Sequence, residues 1–487
     1  MIELFLNDLN NFFFISFFWV VYPMPGFFRK ELLYLCSIII GSMEIGWVIT
    51  FVSPSLPLIK EEFPGLTSFE TSAFQAIPAL TAIVGTYWAN YLMLKLSRKF
   101  ALIINSCCGT VFWLLLLTMS KKFFWISLII RALQGIVMGA YSTIDPVYVA
   151  EIAPPERIGF YGIINSMCIS FGHCSFNLVG AIHSWRANVY FGAGFCALQA
   201  FTCLFVPHSP IDLAHKKNPK NTDENLHMMS VEDDYNEDSN KDIDPESYKS
   251  TVNIKKRSLF QKFYLKPMII GLGLVILQQF AGVNAMVANM SSLLNAAGLD
   301  AIDSSIQASI ATCAEFFSGF LSAFIMDKFG RRNIFIFSCC GACLSMIIFS
   351  LNTKLSLSPI IPVIILFCYM FSFGIGLANI PWIIVPEMFD DDVRSTANSI
   401  CCSINWLSAS IVTFCYPFMA KTLTDFGSLL FFAAMCLISL LFGIFLVPND
   451  PQKYRFVNES SDCKSYAGVI KPNEIENDGT KEIPSEL

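Results

Sequence analysis

The chain has 487 residues, of which 54% are hydrophobic and only 14% are charged, with a formal net charge of −6 and a mean hydropathy of +0.55. Soluble domains usually carry about 25% charged residues, so this composition excludes an ordinary water-soluble domain and is typical of a membrane protein. The negative charge is concentrated in 222–246 and in the tail after Pro448, and its distribution does not indicate a nucleic-acid partner.

Apolar stretches long enough to cross a bilayer recur along the chain. A bilayer core of about 30 Å needs roughly 20 apolar residues, because a helix rises about 1.5 Å per residue. About twelve such stretches are present, and their lengths exclude a transmembrane β-barrel. The predicted spans are 32–52, 74–94, 101–119, 123–149, 160–182, 187–206, 266–290, 305–326, 333–351, 359–386, 395–420 and 426–447.

A polar segment divides these spans into two blocks of six. It covers 211–262 and is too poor in large apolar residues to fold alone. Basic residues cluster in loops on one side of the spans, so that side, with both termini, is expected to be cytosolic. These basic residues are Arg29, Lys30, Arg98, Lys99, Arg157, Lys255, Lys256, Arg257, Lys328, Arg331, Arg332 and Arg394.

The sequence therefore predicts an all-α membrane protein of twelve transmembrane helices, with five parts along the chain. The parts are a cytosolic N-terminal segment (1–31), a six-helix bundle (32–210), a largely disordered cytosolic linker (211–262), a second six-helix bundle (263–448) and a disordered cytosolic tail (449–487). The lipid bilayer is its expected partner, and we expect a monomer.

No residue pattern indicates an enzyme, a cofactor or a metal site. The seventeen cysteines include adjacent pairs within predicted spans but no spacing suited to a metal, and the five histidines are scattered. Neither a nucleotide-binding loop nor a catalytic triad is found. We therefore expect a protein that is not an enzyme and that needs neither a cofactor nor a metal.

Three amides stand out inside the predicted span 266–290. Gln278, Gln279 and Asn284 would be costly if unpaired, because lipid offers no hydrogen-bond partner. On an ideal helix they would not share one narrow face, but Gly282 can relax the helix there, as in the discontinuous helices of transporters. Amides both donate and accept, which suits the hydroxyl groups of a neutral sugar, whereas hydrogen bonds between helices are the alternative.

Short motifs in a constant order give the chain a family resemblance. They are Gly41, Gly46, Arg131, Gly135, Gly139, 146–154 (PVYVAEIAP), 184–186 (SWR), 207–210 (PHSP), 278–284 (QQFAGVN), 327–332 (DKFGRR), Pro381, Trp382, Glu387, Arg394, Asn405 and Trp406. Over 32–450 the chain resembles the sugar porter family of the major facilitator superfamily, especially the insect facilitated trehalose and glucose transporters. The resemblance implies two pseudo-symmetric six-helix halves around a sugar site, in the plasma membrane.

The resemblance also assigns site residues. Its sugar-binding amides correspond to the three amides above, with Asn405 as a further contact, and its cavity tryptophans correspond to Trp382 and Trp406. An aromatic face can stack on the apolar side of a sugar ring. The alternatives are core packing for the tryptophans and a tie between helices for Asn405.

Charged residues at the cytosolic ends of the spans are expected to form a gate beneath the two halves. Exposed ion pairs contribute only about 0–1 kcal/mol each, but a small bias between two states suffices for alternating access. Solvated basic turns that merely orient insertion are the alternative. The expected pairs are Glu151 with Arg157, Asp327 with Arg331 and Glu387 with Arg394, and Arg332 lies beside them.

Some residues depart from the family pattern. Asn165 and Ser166 stand where a Gln normally faces the sugar, and His173 stands where an apolar residue is usual. A lone histidine within the membrane is more often satisfied by a neighbouring helix than used as a ligand. The first half has also lost several of the family's gate residues, so its part of the gate is expected to be weaker.

Three acids fall inside predicted spans, where carboxylates are costly enough to be functional hypotheses by default. Glu315 stands where the family has a sugar-contacting Asn, so it joins the candidate substrate-binding residues, although a structural role is the alternative. Proton-coupled members of the family have an acid at the position of Val48. Glu44 lies one turn before Val48, and a displaced proton site there is a further hypothesis. Asp145 could instead cap backbone groups freed by Pro146.

The function expected from these observations is facilitative transport of a hexose or a trehalose-like disaccharide by alternating access. Two alternatives remain open: a proton-coupled sugar symporter, and a sugar sensor that keeps the scaffold without transporting.

Overall fold

The computed structural model describes residues 29–152, 158–209, 261–299, 301–355 and 358–454. Nearly all of the predicted N-terminal segment, linker and tail therefore lies outside the described residues, as does Arg157. Within the described ranges the chain is almost entirely helical and contains no strand.

Fourteen α-helices are present in these ranges. Those of the first half are α1 (Arg29–Thr50), α2 (Val52–Glu62), α3 (Ser68–Lys95), α4 (Arg98–Leu115), α5 (Phe124–Ile152), α6 (Ile158–Gly180) and α7 (Trp185–Cys203). Those of the second half are α8 (Lys262–Phe280), α9 (Val283–Ala296), α10 (Ser304–Phe329), α11 (Arg331–Leu355), α12 (Ile361–Ser372), α13 (Ile380–Glu387) and α14 (Asp391–Phe445).

Every predicted span overlaps one or more of these helices, and three spans need comment. The span 266–290 is broken into α8 and α9 at Gly282, whose φ of +96° lies in the left-handed region that glycine adopts without strain, as expected from the sequence. A π-helical turn at Phe373–Leu377 interrupts the span 359–386. The last two predicted spans lie in α14, where a backbone break at Thr424 separates them.

Polar side chains cap the starts of two of the helices. Thr67 and Glu70 form a capping box at the start of α3, in which the Glu70 carboxylate accepts from the Thr67 N–H at 2.8 Å. Asp303 caps α10 by accepting from the Ser305 N–H at 2.9 Å. Both caps satisfy backbone donors that the first turn of a helix leaves free.

Two hydrophobic cores divide the molecule into halves. One is built from residues of α1 to α7 and the other from residues of α8 to α14. The halves meet along two seams, where α6 packs on α10 and α3 packs on α14. Trp406 and Ala409 of α14 are exceptions, because they belong to the core of the first half.

The apolar character of the helices is uneven. Among the described residues, six helical segments are long and apolar enough to cross a membrane, or seven if the bent pair formed by α1 and α2 is one span. The six are α4, α5, α8 with α9, α11, α12 with α13, and α14. Helices α3, α6, α7 and α10 do not pass this test. They carry Ser, Thr, Asn and Gln residues, and α3, α6 and α10 lie at the seams between the halves, where polar side chains meet protein rather than lipid.

Candidate functional site

Three of the predicted amides form one hydrogen-bonded network where α8, α9 and α14 meet. The Gln279 side chain donates to Oδ1 of Asn405 at 2.9 Å, and the Asn284 side chain donates to Oε1 of Gln279 at 2.7 Å. Gln279 and Asn405 are buried, and Asn284 is half-buried. The break at Gly282 makes this possible, because it turns α9 so that Asn284 reaches back to α8.

The network uses only part of its hydrogen-bonding capacity. Within the described residues, the side-chain N–H groups of Asn405 and the side-chain oxygen of Asn284 have no hydrogen-bond partner. An amide group can make up to four hydrogen bonds, so donors and acceptors remain for a ligand. This mixture of unused donors and acceptors matches a hydroxyl-rich neutral molecule.

Gln278 has a different environment. Its side-chain nitrogen donates to the backbone carbonyls of Leu377 at 2.7 Å and Ala378 at 3.0 Å, which tie α8 to the π-helical turn. Its Oε1 is buried and has no partner in the described part of the chain. Nearby, the side chain of Asn379 donates to the Gly374 carbonyl at 3.0 Å, and its own oxygen is likewise buried and unpartnered there.

Asn379 was not singled out from the sequence, although an amide within the apolar run before Pro381 was a usable signal. A buried amide oxygen lowers the stability of the fold when no group donates a hydrogen bond to it. Gln278 and Asn379 are therefore the residues of this region with the most to gain from a hydrogen-bond donor.

Glu315 and His173 form a pair that joins the two halves. Nδ1 of His173 lies 3.3 Å from Oε2 of Glu315, across the seam between α6 and α10, and both side chains are buried. The backbone of Glu315 abuts Gly374, so the pair borders the same π-helical turn that Gln278 contacts. Sequence reasoning treated the two residues separately, and only their packing shows that each is the other's partner.

The two predicted tryptophans occupy different surroundings. Trp382 is half-buried near the start of α13. Trp406 is buried in the core of the first half, and its indole N–H has no partner among the described residues. The expectation that both line a sugar cavity stays a prediction.

The gate residues form ion pairs within each half. Arg98 lies 3.0 Å from the Glu151 carboxylate, and Arg331 pairs with Glu387. The pairs expected from the sequence, Glu151 with Arg157 and Asp327 with Arg331, stay predictions, because Arg157 and the side chain of Asp327 lie outside the described residues. The observed partners come from neighbouring helices of the same half, which sequence spacing does not reveal.

The two remaining gate arginines contact backbone carbonyls. Arg332 donates to the Gly443 carbonyl at 3.2 Å, and Arg394 donates to the Phe389 carbonyl at 3.5 Å. Both contacts lie within the second half, at the same end of the bundle as the ion pairs. Their part in gating stays a prediction.

At the opposite end, formed by α2, α9 and the start of α10, the halves are tied directly. The hydroxyl groups of Ser53 and Ser291 lie 2.9 Å apart, and the side chain of Ser309 donates to the Cys174 carbonyl at 2.9 Å. The amides of Gln75 and Asn289 are 3.3 Å apart. We call this the α2–α9 end, and its two sides are in contact in this structure.

Buried charges lie in the first half, away from the seams. Arg131 donates to the carbonyl of Val48 at 2.9 Å and to Gln134 at 2.8 Å, and Glu44 accepts from the indole of Trp113. Asp145, also buried, accepts from Ser42 at 2.9 Å. Glu44 and Asp145 are thus packed inside one half, and a proton-binding role for either stays a hypothesis.

Helical halves with separate cores, two seams and polar groups between them define a membrane transporter of the major facilitator type. Comparison with solved structures agrees: the D-xylose–proton symporter matches 88% of this chain and 99% of its own with a TM-score of 0.71 at 19% identity. An inward-open structure of the xylose transporter XylE from E. coli matches with a TM-score of 0.68 at 20% identity, covering 86% of this chain and 96% of its own. The predicted fold class is confirmed.

The family model for "Sugar (and other) transporter" matches residues 34–452, so the chain belongs to this family. Sugar transporter ERD6-like 18 of Arabidopsis thaliana is 28% identical over 426 residues, covering 84% of this chain and 86% of the relative. Facilitated trehalose transporter Tret1 of Bombyx mori is 26% identical over 437 residues, covering 88% and 86%. The predicted family and the multi-pass membrane class are confirmed.

Proposed function

We propose that this protein moves a sugar, either a hexose or a trehalose-like disaccharide, down its gradient by alternating access. The network of Gln279, Asn284 and Asn405 carries the proposal, because it holds its members in place and still leaves donors and acceptors unused. A sugar hydroxyl can donate to one amide and accept from the next, which suits a mixed set of amides better than a single charge. The kinds of sugar are suggested by the Tret1 relative and by the xylose transporter structures.

The remaining site residues act around this network. Gln278 and Glu315 both border the π-helical turn and would bind the sugar on that side, while Trp382 would stack on the apolar face of the ring. Trp406, anchored in the first half while its helix belongs to the second, would close the site between the halves.

In the proposed orientation the protein crosses the plasma membrane many times, with both termini in the cytosol. The α2–α9 end then faces outside, and the end with the Arg98–Glu151 and Arg331–Glu387 pairs faces the cytosol. The ties at the α2–α9 end support a state whose outer side is closed. Opening to the outside requires those ties to break while the halves approach each other at the cytosolic end, where the charged turns meet.

Proton-coupled sugar symport is a second candidate, favoured by the buried pair of His173 and Glu315 on the seam. A carboxylate and an imidazole at such a distance can hold or release a proton as the halves separate. A sugar sensor that binds without transporting is the third, and zero flux with retained sugar binding would identify it.

The test is uptake of a labelled sugar panel into proteoliposomes, with and without a proton uncoupler. The double variant Gln279→Ala/Asn284→Ala should lower uptake at least tenfold at subsaturating sugar, because each lost hydrogen bond costs about 0.5–1.5 kcal/mol and the buried Asn405, left without its partner, adds to this cost. Asn352→Ala, which removes a buried amide at the end of α11, is the matched control and should transport normally. Normal uptake by the double variant would refute the binding assignment, and loss of uptake with the uncoupler would favour the symporter.

A further inference from the structure

A second histidine–carboxylate pair joins the two halves at the α2–α9 end. Nε2 of His183, in the turn between α6 and α7, lies 3.0 Å from Oδ2 of Asp303. Asp303 belongs to the second half and is fixed there by its cap, because its other oxygen, Oδ1, accepts from the Ser305 N–H. The pair therefore bridges the halves through a carboxylate whose position is set by α10.

The turn holds the histidine in place and leaves it open to water. The φ of His183 is +55°, and its N–H donates to the Gly180 carbonyl at 3.0 Å. This left-handed backbone conformation is uncommon for residues other than glycine, which indicates that the surrounding turn holds His183 in it. The imidazole is 64% exposed, so protons from the adjoining solution can reach it.

The charged side chains that line the cavity beside His183 are acidic. Together with Asp303 it lines a cavity of about 600 Å³, to which α2 contributes Glu61, and no Lys or Arg is among the described residues that line it. Beside the cavity, Arg186 forms an ion pair with Glu62 at the end of α2, and hydrogen bonds from Arg186 and Trp185 lower the pKa of Glu62. Glu62 therefore stays ionised in mild acid and does not compete for an added proton.

Lys60 is the remaining charged residue of α2 near this end and does not line the cavity. Helix α9 places only Ser291, Ser292, Asn295 and Ala296 in it, and Asp300 lies outside the described residues. The other ties at this end, between serine hydroxyls and between amides, do not titrate. An imidazole ordinarily gains its charge in the range from pH 5 to 8.

We propose that His183 is an external proton-binding site that holds the outer side of the transporter closed in acid. Protonation turns its contact with Asp303 into an ion pair between the halves, which stabilises the closed α2–α9 end relative to the open one. The assignment of this end to the outside rests on the proposed function. Sugar entry should therefore slow as the external pH falls, without any proton being carried across the membrane.

The test is sugar uptake at external pH 7.5 and 5.5 with the internal pH clamped. Native protein should take up sugar about two- to fivefold more slowly at pH 5.5, the range expected of an exposed ion pair. His183→Asn should remove this difference, because Asn tolerates the left-handed backbone and keeps an N–H for Asp303 but does not titrate. Asp303→Asn, which retains a capping side chain, should remove it too.

Two control variants define the outcomes that overturn the proposal. His208→Asn, which changes a histidine that packs on Phe100 away from this cavity, should keep the native pH response. If the response survives in His183→Asn and disappears in His173→Gln, the buried pair binds the proton and the proposal is wrong. An absence of any pH response in the native protein overturns it as well.

A measurement without sugar separates this proposal from the proposed function. Spin labels at Lys60 and Ala296, in a variant without other reactive cysteines, report the distance between α2 and α9 in nanodiscs. Acid should populate the shorter distance in the native sequence and not in His183→Asn. If no sugar is transported at any pH, the proposed function fails, but this distance still tests the proton site. A distance that does not change with pH would reject the proton site.

Discussion

The two halves differ in the charges that they bury. The first half contains Arg131, Glu44 and Asp145 inside its core in addition to buried amides, whereas the buried polar groups of the second half are mainly neutral, and its amides include Gln279 and Asn405. Burying a charge is costly unless its partners are fixed, while an amide can exchange one partner for another at modest cost. The difference supports the proposal that the first half is stiffened by its buried charges and that the second half uses some of its amides for binding.

Arg131 illustrates the stiffening. It donates to the carbonyls of Phe74 and Val48, on α3 and α1, and its guanidinium lies 5.4 Å from the ring centre of Phe51. One side chain thus holds α1, α3 and α5 together. The hydrogen-bond network around Gln279 is less saturated. Asn284 and Asn405, at its ends, retain donors and acceptors without a partner among the described residues.

The largest effect should come from removing this arginine. Arg131→Ala leaves the backbone carbonyls of Phe74 and Val48 and the side-chain oxygen of Gln134 without this donor, and breaking a buried charge arrangement costs about 3–5 kcal/mol. We expect little folded protein, measured as the monodisperse fraction in detergent and its melting temperature. Asn284→Ala should leave both almost unchanged. If Asn284→Ala lowers the monodisperse fraction and the melting temperature as much as Arg131→Ala does, the proposed difference between the two halves is wrong.

The sequence predicted the helices well because their signal is local. Apolar stretches predicted all the spans, although α3, α6, α7 and α10 are less apolar than the other helices. Gly282 predicted the break between α8 and α9, which explained how amides on different faces of an ideal helix could meet. The break in α14 at Thr424 was also bracketed correctly by the two spans around it, although a β-branched residue is not an obvious place for a positive φ.

The pairings between helices could not be read in the same way. His173 and Glu315 are 142 residues apart, and nothing in the spacing of either indicates the other. The same holds for Arg331, whose partner Glu387 lies 56 residues further along the chain, and for Trp406, which together with Ala409 packs in the opposite half from the rest of α14. Such contacts depend on how whole helices pack, which periodicity does not encode.

Glu315 is an exception to this contrast, since it is a buried acid of the second half that contacts the first. If it faces the sugar, Glu315→Asn should restore a donor and change the relative uptake of at least one sugar about three- to tenfold, with folding intact. His173→Gln should alter the same sugars if the pair works as a unit. The measurement is the uptake profile at pH 5.5 and 7.5.

Profiles identical to that of the native protein at both pH values would mean that Glu315 is structural. The second half would then contain a buried acid that only stabilises the seam, and the contrast between the halves would be one of number rather than of role.

The smallest effect should come from an exposed pair of the first half, which tests whether charge stabilises this half only when buried. Glu62 accepts from Trp185 at 2.7 Å and pairs with Arg186, and these hydrogen bonds, from Arg186 first, lower its pKa from the ordinary value of 4.5. Both side chains are well exposed, at 37% and 50%, so screening by water limits their contribution to less than about 1 kcal/mol. Because the pKa is lowered on folding, the stabilisation is present above pH 4.5 and is lost as the pH falls through the folded-state pKa.

Glu62→Gln should therefore have a slightly lower melting temperature than the native protein at pH 7, and the difference should shrink as the pH approaches 4. Glu61→Gln, a change at the neighbouring exposed glutamate, should melt like the native protein at both values. A difference for Glu62→Gln as large as that for Arg131→Ala would show that this half depends on its charges wherever they lie, and not on their burial.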